Sequence, residues 1–497
     1  MTRADDTSAY PSRDRLHELA EPGIAIPVVR VLDAIDVDPL AAFAVLAAGA
    51  THAALLETSE AASGDADFSV VVPRAAGVIG GDDDVLGEIR ERCADRVADI
   101  GIELPRFVGG VVGMLGHEYV TTIEPRVPRA TDAPAIDTPD AAFLIVDELV
   151  AFDHSAGRVL AICTIVVDDE SDLDAAYDRA IARLDELALG IRQSASRAAT
   201  STPFVPTPID GHDGATPNID DATFESLVLD AREHVRSGEC VQIVVSRRFD
   251  RRFRADPLDA YRAMRAVSPA PYHALLRLDD VSIVGASPEQ LVGVLDERVV
   301  THPIAGTRPR GADAATDRDL ERELLADPKE RAEHMMLVDL GRNDVGRVSV
   351  PGSVEVARLC EVERFSHVMH LVSRVEGDLR PGLHPVDALR AAFPAGTLTG
   401  APKIRAMELI AKLERDRRGA YGGVVGYVGH GRAMDMAITI RTAVLGSGLA
   451  SVQAGAGVVA ASDPSAEAAE TRHKARGMLT ALARAEQPQL DTVGGAT

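Results

Sequence analysis

The sequence predicts an α+β protein built on antiparallel sheets. Strand-like runs separated by turns of hairpin length occur early and late in the chain: Ala141–Phe152 with Val159–Val167, then Tyr272–Leu278, Val281–Ala286 and Gln290–Leu295 as a meander. Helical patterns fall between groups of strands, which favours antiparallel sheets over a doubly wound one. A length of 497 residues with 46% apolar content is too much for one compact core and enough for two large domains.

In chain order, residues 1–20 read as a loosely held terminus. Residues 21–189 read as a first α/β domain. It contains a helix over Pro39–Ala48, strands over Ala53–Glu57 and Phe68–Pro73, and a helix over Val85–Asp99. A glycine-punctuated strand over Phe107–Gly113, a hairpin turning at His154–Gly157 and a helix over Ser171–Leu189 complete it. Residues 190–217 carry Pro203, Pro206, Pro208 and Pro217 among Ser, Ala and Thr, the texture of a linker. Residues 218–486 form the second domain. Helices are expected over Asp220–Ser237, Leu258–Val267, Asp327–Asp344, Pro385–Ala392, Lys403–Arg415 and Pro464–Ala485. Strands are expected over Val241–Phe253, Val354–Val362, Ser366–Gly377, Gly422–Val428, Met434–Ala443 and Ala450–Ala461. His302–Arg310 reads as a loop and residues 487–497 as a frayed tail.

The formal charge of −25 argues against a nucleic-acid partner, which needs a basic surface. Acidity spread along the chain, with Lys329, Lys403, Lys412 and Lys474 the only lysines, points to a halophilic protein kept soluble where salt screens self-repulsion. No apolar run of membrane-spanning length and no signal-peptide pattern is present, so a cytoplasmic setting is expected. Cys93, Cys163, Cys240 and Cys360 are far apart and read as free thiols.

The stretch DPKERAEHMMLVDLGRND, Asp327–Asp344, starts a helix with an Asp cap and a Pro at the first position. Glu330 sits at the third position, where a carboxylate complements the helix dipole. Glu333 lies one turn on and leads an apolar stripe of Met336, Leu337 and Leu340. A carboxylate aimed inward must be paired, hydrogen-bonded or metal-bound. Glu467 and Glu470 repeat the spacing at the start of the last helix. Two Glu-x-x-Glu pairs make an oxygen-ligand Mg²⁺ site plausible, with a solvated face as the bland alternative. PAGTLTGAPK, Pro394–Lys403, has the wrong spacing for a P-loop and lacks the Ser or Thr after its lysine. It reads either as a turn or as a wall whose Thr397 and backbone N–H groups meet a small polar ligand. In VQAGAGVVA, Val452–Ala460, the glycines mark either a bulge or close approach of a ligand carboxylate.

Together PIAGTRPRG, DPKERAEHMMLVDLGRND, RFSHVMHLVS, FPAGTLTGAPKIRAME, YGGVVGY, ITIRT and VQAGAGVVA…AETRHKA resemble the chorismate-utilising enzymes, most closely the branch that makes anthranilate. The resemblance runs in unbroken order from Ile219 to Ala485, and more loosely through Leu55–Glu57 and Phe107–Gly113. It implies antiparallel sheets packed as a sandwich with surrounding helices, a regulatory first domain and a chorismate-binding second domain. It implies Mg²⁺ held chiefly by Glu333 and Glu470, with Glu330 and Glu467 in support. Gly306, Thr307, Tyr421, Arg441, Gly455, Ala456 and Gly457 would bind the substrate's carboxylates, with Lys474 near the same anionic groups. Glu289 would protonate the departing 4-hydroxyl as ammonia attacks C2, His370 would serve the loss of pyruvate, and Thr397 would position the ring. A separate glutamine amidotransferase subunit would supply ammonia in a hetero-oligomer, and tryptophan would inhibit through Thr58, Pro271, Tyr272 and His273.

Branches that make isochorismate carry a lysine base where this chain has Gln242. Those that make aminodeoxychorismate typically carry one where it has Ala305. Water is a poor nucleophile without a base, whereas neutral ammonia is nucleophilic already, so both replacements fit an ammonia-using enzyme. A non-catalytic relative that only binds chorismate or tryptophan is the alternative of another class.

Overall fold

A computed structural model describes residues 9–32, 37–59, 68–81, 84–198, 214–364 and 368–487. Its strands form two large sheets, antiparallel except where Arg96–Val97 pairs in parallel with Ile24–Ala25. Helices surround them, so the chain is α+β with packed antiparallel sheets as expected.

Each sheet takes strands from both sides of residues 199–213, which lie outside the described residues. In the larger sheet, His52–Thr58 pairs with Tyr272–Leu278, with Thr58 opposite Tyr272. In the smaller one, Gly110–Leu115 pairs with Val424–Gly429. The main core follows suit: Leu55, Val71 and Leu160 share it with Phe249, Leu275 and Leu479.

Among the described residues, the chain passes from one sheet to the other at three places through a connection of at most three residues. Ala141–Val146 belongs to the smaller sheet and Glu148–Asp153 to the larger, so the single strand expected over Ala141–Phe152 is broken at Asp147. Val281–Ser287 and Gln290–Leu295 likewise lie in different sheets, and the expected meander stops at Ser287. The run Met434–Ala443 divides into Met434–Ile438 and Thr442–Gly446 around Arg441, whose φ of 52° turns the chain. Both halves of each run are largely buried, so the strands on either side of a break read alike. Periodicity therefore could not reveal the change of sheet. The last two crossings are tied together, Ile438 N to Glu289 O at 2.9 Å and Ala286 N to Arg441 O at 3.1 Å.

Other boundaries also differ from expectation. The helix over Val85–Asp99 ends at Arg92, freeing Arg96–Val97 to join the sheet. The expected loop over His302–Arg310 contains a strand, Ile304–Pro309, irregular between Ala305 and Thr307. A helix over Ala314–Ala326 was not anticipated. Leu173–Ala198 runs helical into the expected linker, and Ala215–Pro217 is a strand. Ala9–Tyr10 and Arg13–Leu19 are also ordered: Ser12 caps the helix, and Arg13 reaches Asp174 at 2.9 Å.

The helix over Asp327–Asp344 spans Pro328–Gly346. Asp327 caps it, accepting from Lys329 N at 2.9 Å and Glu330 N at 3.2 Å. Its buried face is His334, Leu337, Val338, Gly341 and Val345. Of the stripe read from sequence only Leu337 is fully buried. Met336 and Leu340 are half-buried and line an opening with Gln242 and Gly396, so Glu333 heads a cleft-facing edge. The last helix, Pro464–Ala485, is capped by Asp463, which accepts from Ala466 N at 2.9 Å. It packs through Ala468, Thr471, Ala475 and Met478 and leaves Glu467 and Glu470 half-buried.

Candidate active site

The tied crossings place Glu289 in the wall of a cleft with a cavity of about 50 Å³, which Leu340, Asp344, Gly396 and Thr397 also line. Burial pushes the Glu289 carboxyl up to about 8 against the opposing effects of the Thr397 bond and Lys474, so it is protonated at neutral pH. The Thr397 hydroxyl donates to its Oε1 at 3.3 Å. Thr397 sits on a one-turn helix, Gly396–Thr399, inside the segment read as a wall or turn.

His370 comes from the strand Val368–Asp378. Its Nδ1 lies 3.0 Å from the Gly306 carbonyl and 3.0 Å from the Thr307 hydroxyl. A carbonyl only accepts, so Nδ1 carries the proton and the neutral ring keeps its lone pair on Nε2. Burial lowers the His370 pKa, which favours that neutral ring. Gly306 has a φ of 62°, and a Cβ there would come within 3.2 Å of Glu330 Oε2. The PIAGT strand thus touches both His370 and the first Glu-x-x-Glu pair.

Lys474 Nζ donates to Gly455 O at 3.0 Å and pairs with Glu470 at 2.6 Å. Arg441 Nη1 donates to Lys474 O at 2.7 Å. A Cβ on Gly455 would fall 2.7 Å from Tyr421 Oη and 2.9 Å from the Val245 carbonyl, which favours glycine there, and one on Gly457 would meet Gln242 Nε2 at 2.4 Å, so that side chain lies against the strand. Residues 455–457 pair on one edge with Val244–Ser246. The strand on the other edge, Thr442–Gly446, reaches only residues 449–452.

The carboxylates of the two helices sense each other. Burial, then Glu330, then Glu470 raise Glu333, while Lys329 and Lys474 oppose this. Burial raises Glu467. Glu470 is lowered because Lys474 and its other partners outweigh burial. Among the described residues no three such side chains already converge at metal-binding distance. The donor set nevertheless fits a hard cation: oxygen ligands from two helices, two of them, Glu333 and Glu467, held above the ordinary carboxylate range first by burial and then by neighbouring carboxylates.

Thr58, Tyr272 and His273 line a second, narrow pocket between the sheets, with a cavity of about 20 Å³, and Pro271 O accepts from Ser59 N at 3.0 Å. Sequence reasoning missed three buried polar groupings. Lys403 Nζ bonds Asp344 at 2.9 Å and Ala392 O at 2.8 Å, which makes this lysine a structural tie. His334 Nε2 meets Ser373 Oγ at 2.6 Å and fastens the central helix to the His370 strand. Gln290 donates to Asp435 at 2.7 Å. The four cysteines are free, and burial pushes Cys93 and Cys163 up to about 12.

A protonated carboxyl, a neutral imidazole, an arginine and lysine beside a glycine strand, and two Glu-x-x-Glu pairs that sense each other define a class: an enzyme for a small polyanionic substrate, built for acid–base chemistry. The chain belongs to the chorismate binding enzyme family, which it matches over residues 52–480. It is 48% identical to anthranilate synthase component 1 of Streptomyces coelicolor, over 98% of this chain and 94% of that one. It is 42% identical to the protein of that name from Mycobacterium bovis, over 97% of each. The crystal structure of anthranilate synthase component I from Streptococcus pneumoniae superposes with a TM-score of 0.68 at 36% identity, covering 86% of this chain and 90% of that one.

Proposed function

We propose that the chain is the large subunit of an anthranilate synthase, a lyase that aminates chorismate with ammonia and eliminates pyruvate in the first step of tryptophan biosynthesis. The observation that carries the choice of branch is Gln242. It presses on Gly457 at the cleft where a water-activating lysine would stand, while Ala305 occupies the other lysine position.

The ring carboxylate and the enolpyruvyl carboxylate are held by Arg441, Tyr421, Lys474 and the strand Gly455–Gly457, with Gly306 and Thr307 opposite. Glu289, protonated at neutral pH, gives its proton to the departing 4-hydroxyl as ammonia attacks C2. Thr397 holds the acid's other oxygen and orients it. The neutral His370, aimed by Gly306 and Thr307, takes the ring proton as pyruvate leaves and the ring becomes aromatic. Glu333 and Glu470, supported by Glu330 and Glu467, would hold Mg²⁺, which when bound neutralises the ring carboxylate and draws electrons from the ring.

A separate glutamine amidotransferase subunit supplies ammonia, making a hetero-oligomer, and tryptophan binds at Thr58, Pro271, Tyr272 and His273 to inhibit. No helix among the described residues is long and apolar enough to cross a membrane, and we assign a cytoplasmic enzyme.

The test is turnover of chorismate with Mg²⁺ and excess ammonium in high salt at pH about 8, near the Glu289 transition, followed by anthranilate fluorescence. A stable non-aromatic amino product, or isochorismate, would assign another branch, and absence of turnover a binding protein. Thr397→Val removes one hydrogen bond and is expected to slow turnover by roughly 2- to 10-fold, the equivalent of about 0.5–1.5 kcal/mol. Because that bond lowers the Glu289 pKa, its loss moves the basic limb of the rate profile to higher pH.

A further inference from the structure

We propose that Gln290 is the positioning residue through which the pocket at Tyr272 acts on the catalytic pair Glu289 and His370. The proposal rests on the anthranilate synthase reading and names how its regulation reaches the chemistry.

Tyr272 lines the pocket between the sheets, and its hydroxyl donates to Asp435 Oδ1 at 3.3 Å. Gln290 Nε2 donates to the same oxygen at 2.7 Å, and Gln290 Oε1 faces His302 Nδ1 at 2.9 Å. Tyr272, Asp435 and Gln290 are 7%, 7% and 6% exposed, so losing a partner leaves a buried polar group and carries its desolvation cost. Arg106 and Tyr427 also face Asp435, and the carboxyl stays mostly ionised at neutral pH, its pKa raised to about 6 by burial. An ionised carboxylate only accepts. Gln290 must therefore turn its amide N–H to Asp435 and its carbonyl to His302, which fixes the proton on His302 Nδ1. The donor–acceptor order is set along the whole row, and moving one member breaks the next bond.

The row ends on both catalytic groups. Gln290 follows Glu289 directly and also lines the active cleft. The pairing with Met434–Ile438 is irregular between Gln290 and Val292, a place where a strand can shift without unzipping. On the other side His302 leads into Pro303, whose carbonyl accepts from Ser373 N at 3.1 Å, and then into Gly306 and Thr307, which hold His370. This strand too is irregular, between Ala305 and Thr307. Two irregular strands joined by one buried amide can transmit a shift of the Tyr272 hydroxyl both to Glu289 and to the strand that holds His370. Contiguity alone does not establish coupling, so the test measures coupling itself.

Gln290→Glu sets a second carboxylate against Asp435 and breaks the row. Adding Asp435→Asn rebuilds the bond with its direction reversed, while His302 still donates to position 290. The probe is L-tryptophan, titrated calorimetrically without and with saturating chorismate, ammonia being withheld to prevent turnover. Linkage makes the ratio of the two dissociation constants the coupling factor. The wild type is expected to show a factor of about 5 or more, the usual lower bound for allosteric coupling. Gln290→Glu is expected to bring it close to unity, and the double variant to restore it. A single variant that keeps the wild-type factor, or a folded double variant that stays uncoupled, overturns the proposal. Should the single variant fail to fold, the double variant decides by itself. A wild type that makes anthranilate but shows no tryptophan affinity overturns the effector pocket and this proposal with it. A wild type that makes none overturns the reading of the reaction.

Discussion

Glu289→Gln is expected to slow anthranilate formation by roughly 10²- to 10⁴-fold, the usual contribution of a positioned general acid. The substitution isolates proton transfer. At neutral pH the native side chain is protonated, its pKa raised to about 8, so glutamine changes neither charge nor much volume, and the KM for chorismate is expected to hold. The pH dependence gives a second reading. The acid is lost as pH rises through about 8, so the wild-type kcat/KM falls on that side. The variant has no group to titrate there and loses the limb. Because free ammonia increases with pH in an ammonium buffer, the profile is read at constant free ammonia. A variant with the wild-type rate, or with the basic limb intact, would take the acid role away from Glu289.

The difference between the legible and the hidden parts of this protein is one of range. The Asp327 and Asp463 caps, the prolines after them and the two Glu-x-x-Glu spacings are local, and both helices start where the sequence places them. Which edge of the central helix is buried was not local. Met336 and Leu340 look like core in a one-dimensional stripe, but the strand carrying His370 packs on the edge with His334, Val338 and Gly341. The crossings at Asp147, Pro288 and Arg441 were hidden because buried strands are apolar on both faces. The Gln290–Asp435 and Lys403–Asp344 bonds span 145 and 59 residues, and no spacing rule reaches that far. The family motifs name residues from Gly306 to Lys474. The geometry adds that Lys474 stands between the carboxylates, the glycine strand and Arg441, through Glu470, Gly455 and its own carbonyl.

That arrangement makes Glu333→Gln the sharpest test of the metal assignment, because it predicts opposite effects with and without Mg²⁺. In the metal-free protein Glu333 is held above its ordinary range first by burial and then by Glu330 and Glu470. A carboxyl whose folded pKa is raised costs stability as pH rises above its unfolded value, and at neutral pH that cost is present. Removing the charge relieves it, so the metal-free variant is expected to melt at a higher temperature than the metal-free wild type. Adding Mg²⁺ reverses the order. The wild type gains stability as its sites fill, whereas the variant, lacking a principal ligand, is expected to lose at least about 100-fold in Mg²⁺ affinity, beyond the 10- to 100-fold typical of a supporting residue. Its Mg²⁺-dependent turnover is expected to disappear. Glu330→Gln removes a carboxylate already turned toward Arg308 and Gly306, and is expected to keep partial activity with a weaker Mg²⁺ response. Calorimetric titration of Mg²⁺ and melting curves at both metal levels read these effects without relying on turnover. A Glu333→Gln protein that melts below the metal-free wild type and still gains the full Mg²⁺ shift would remove Glu333 from the ligand set and leave it a buried structural carboxylate.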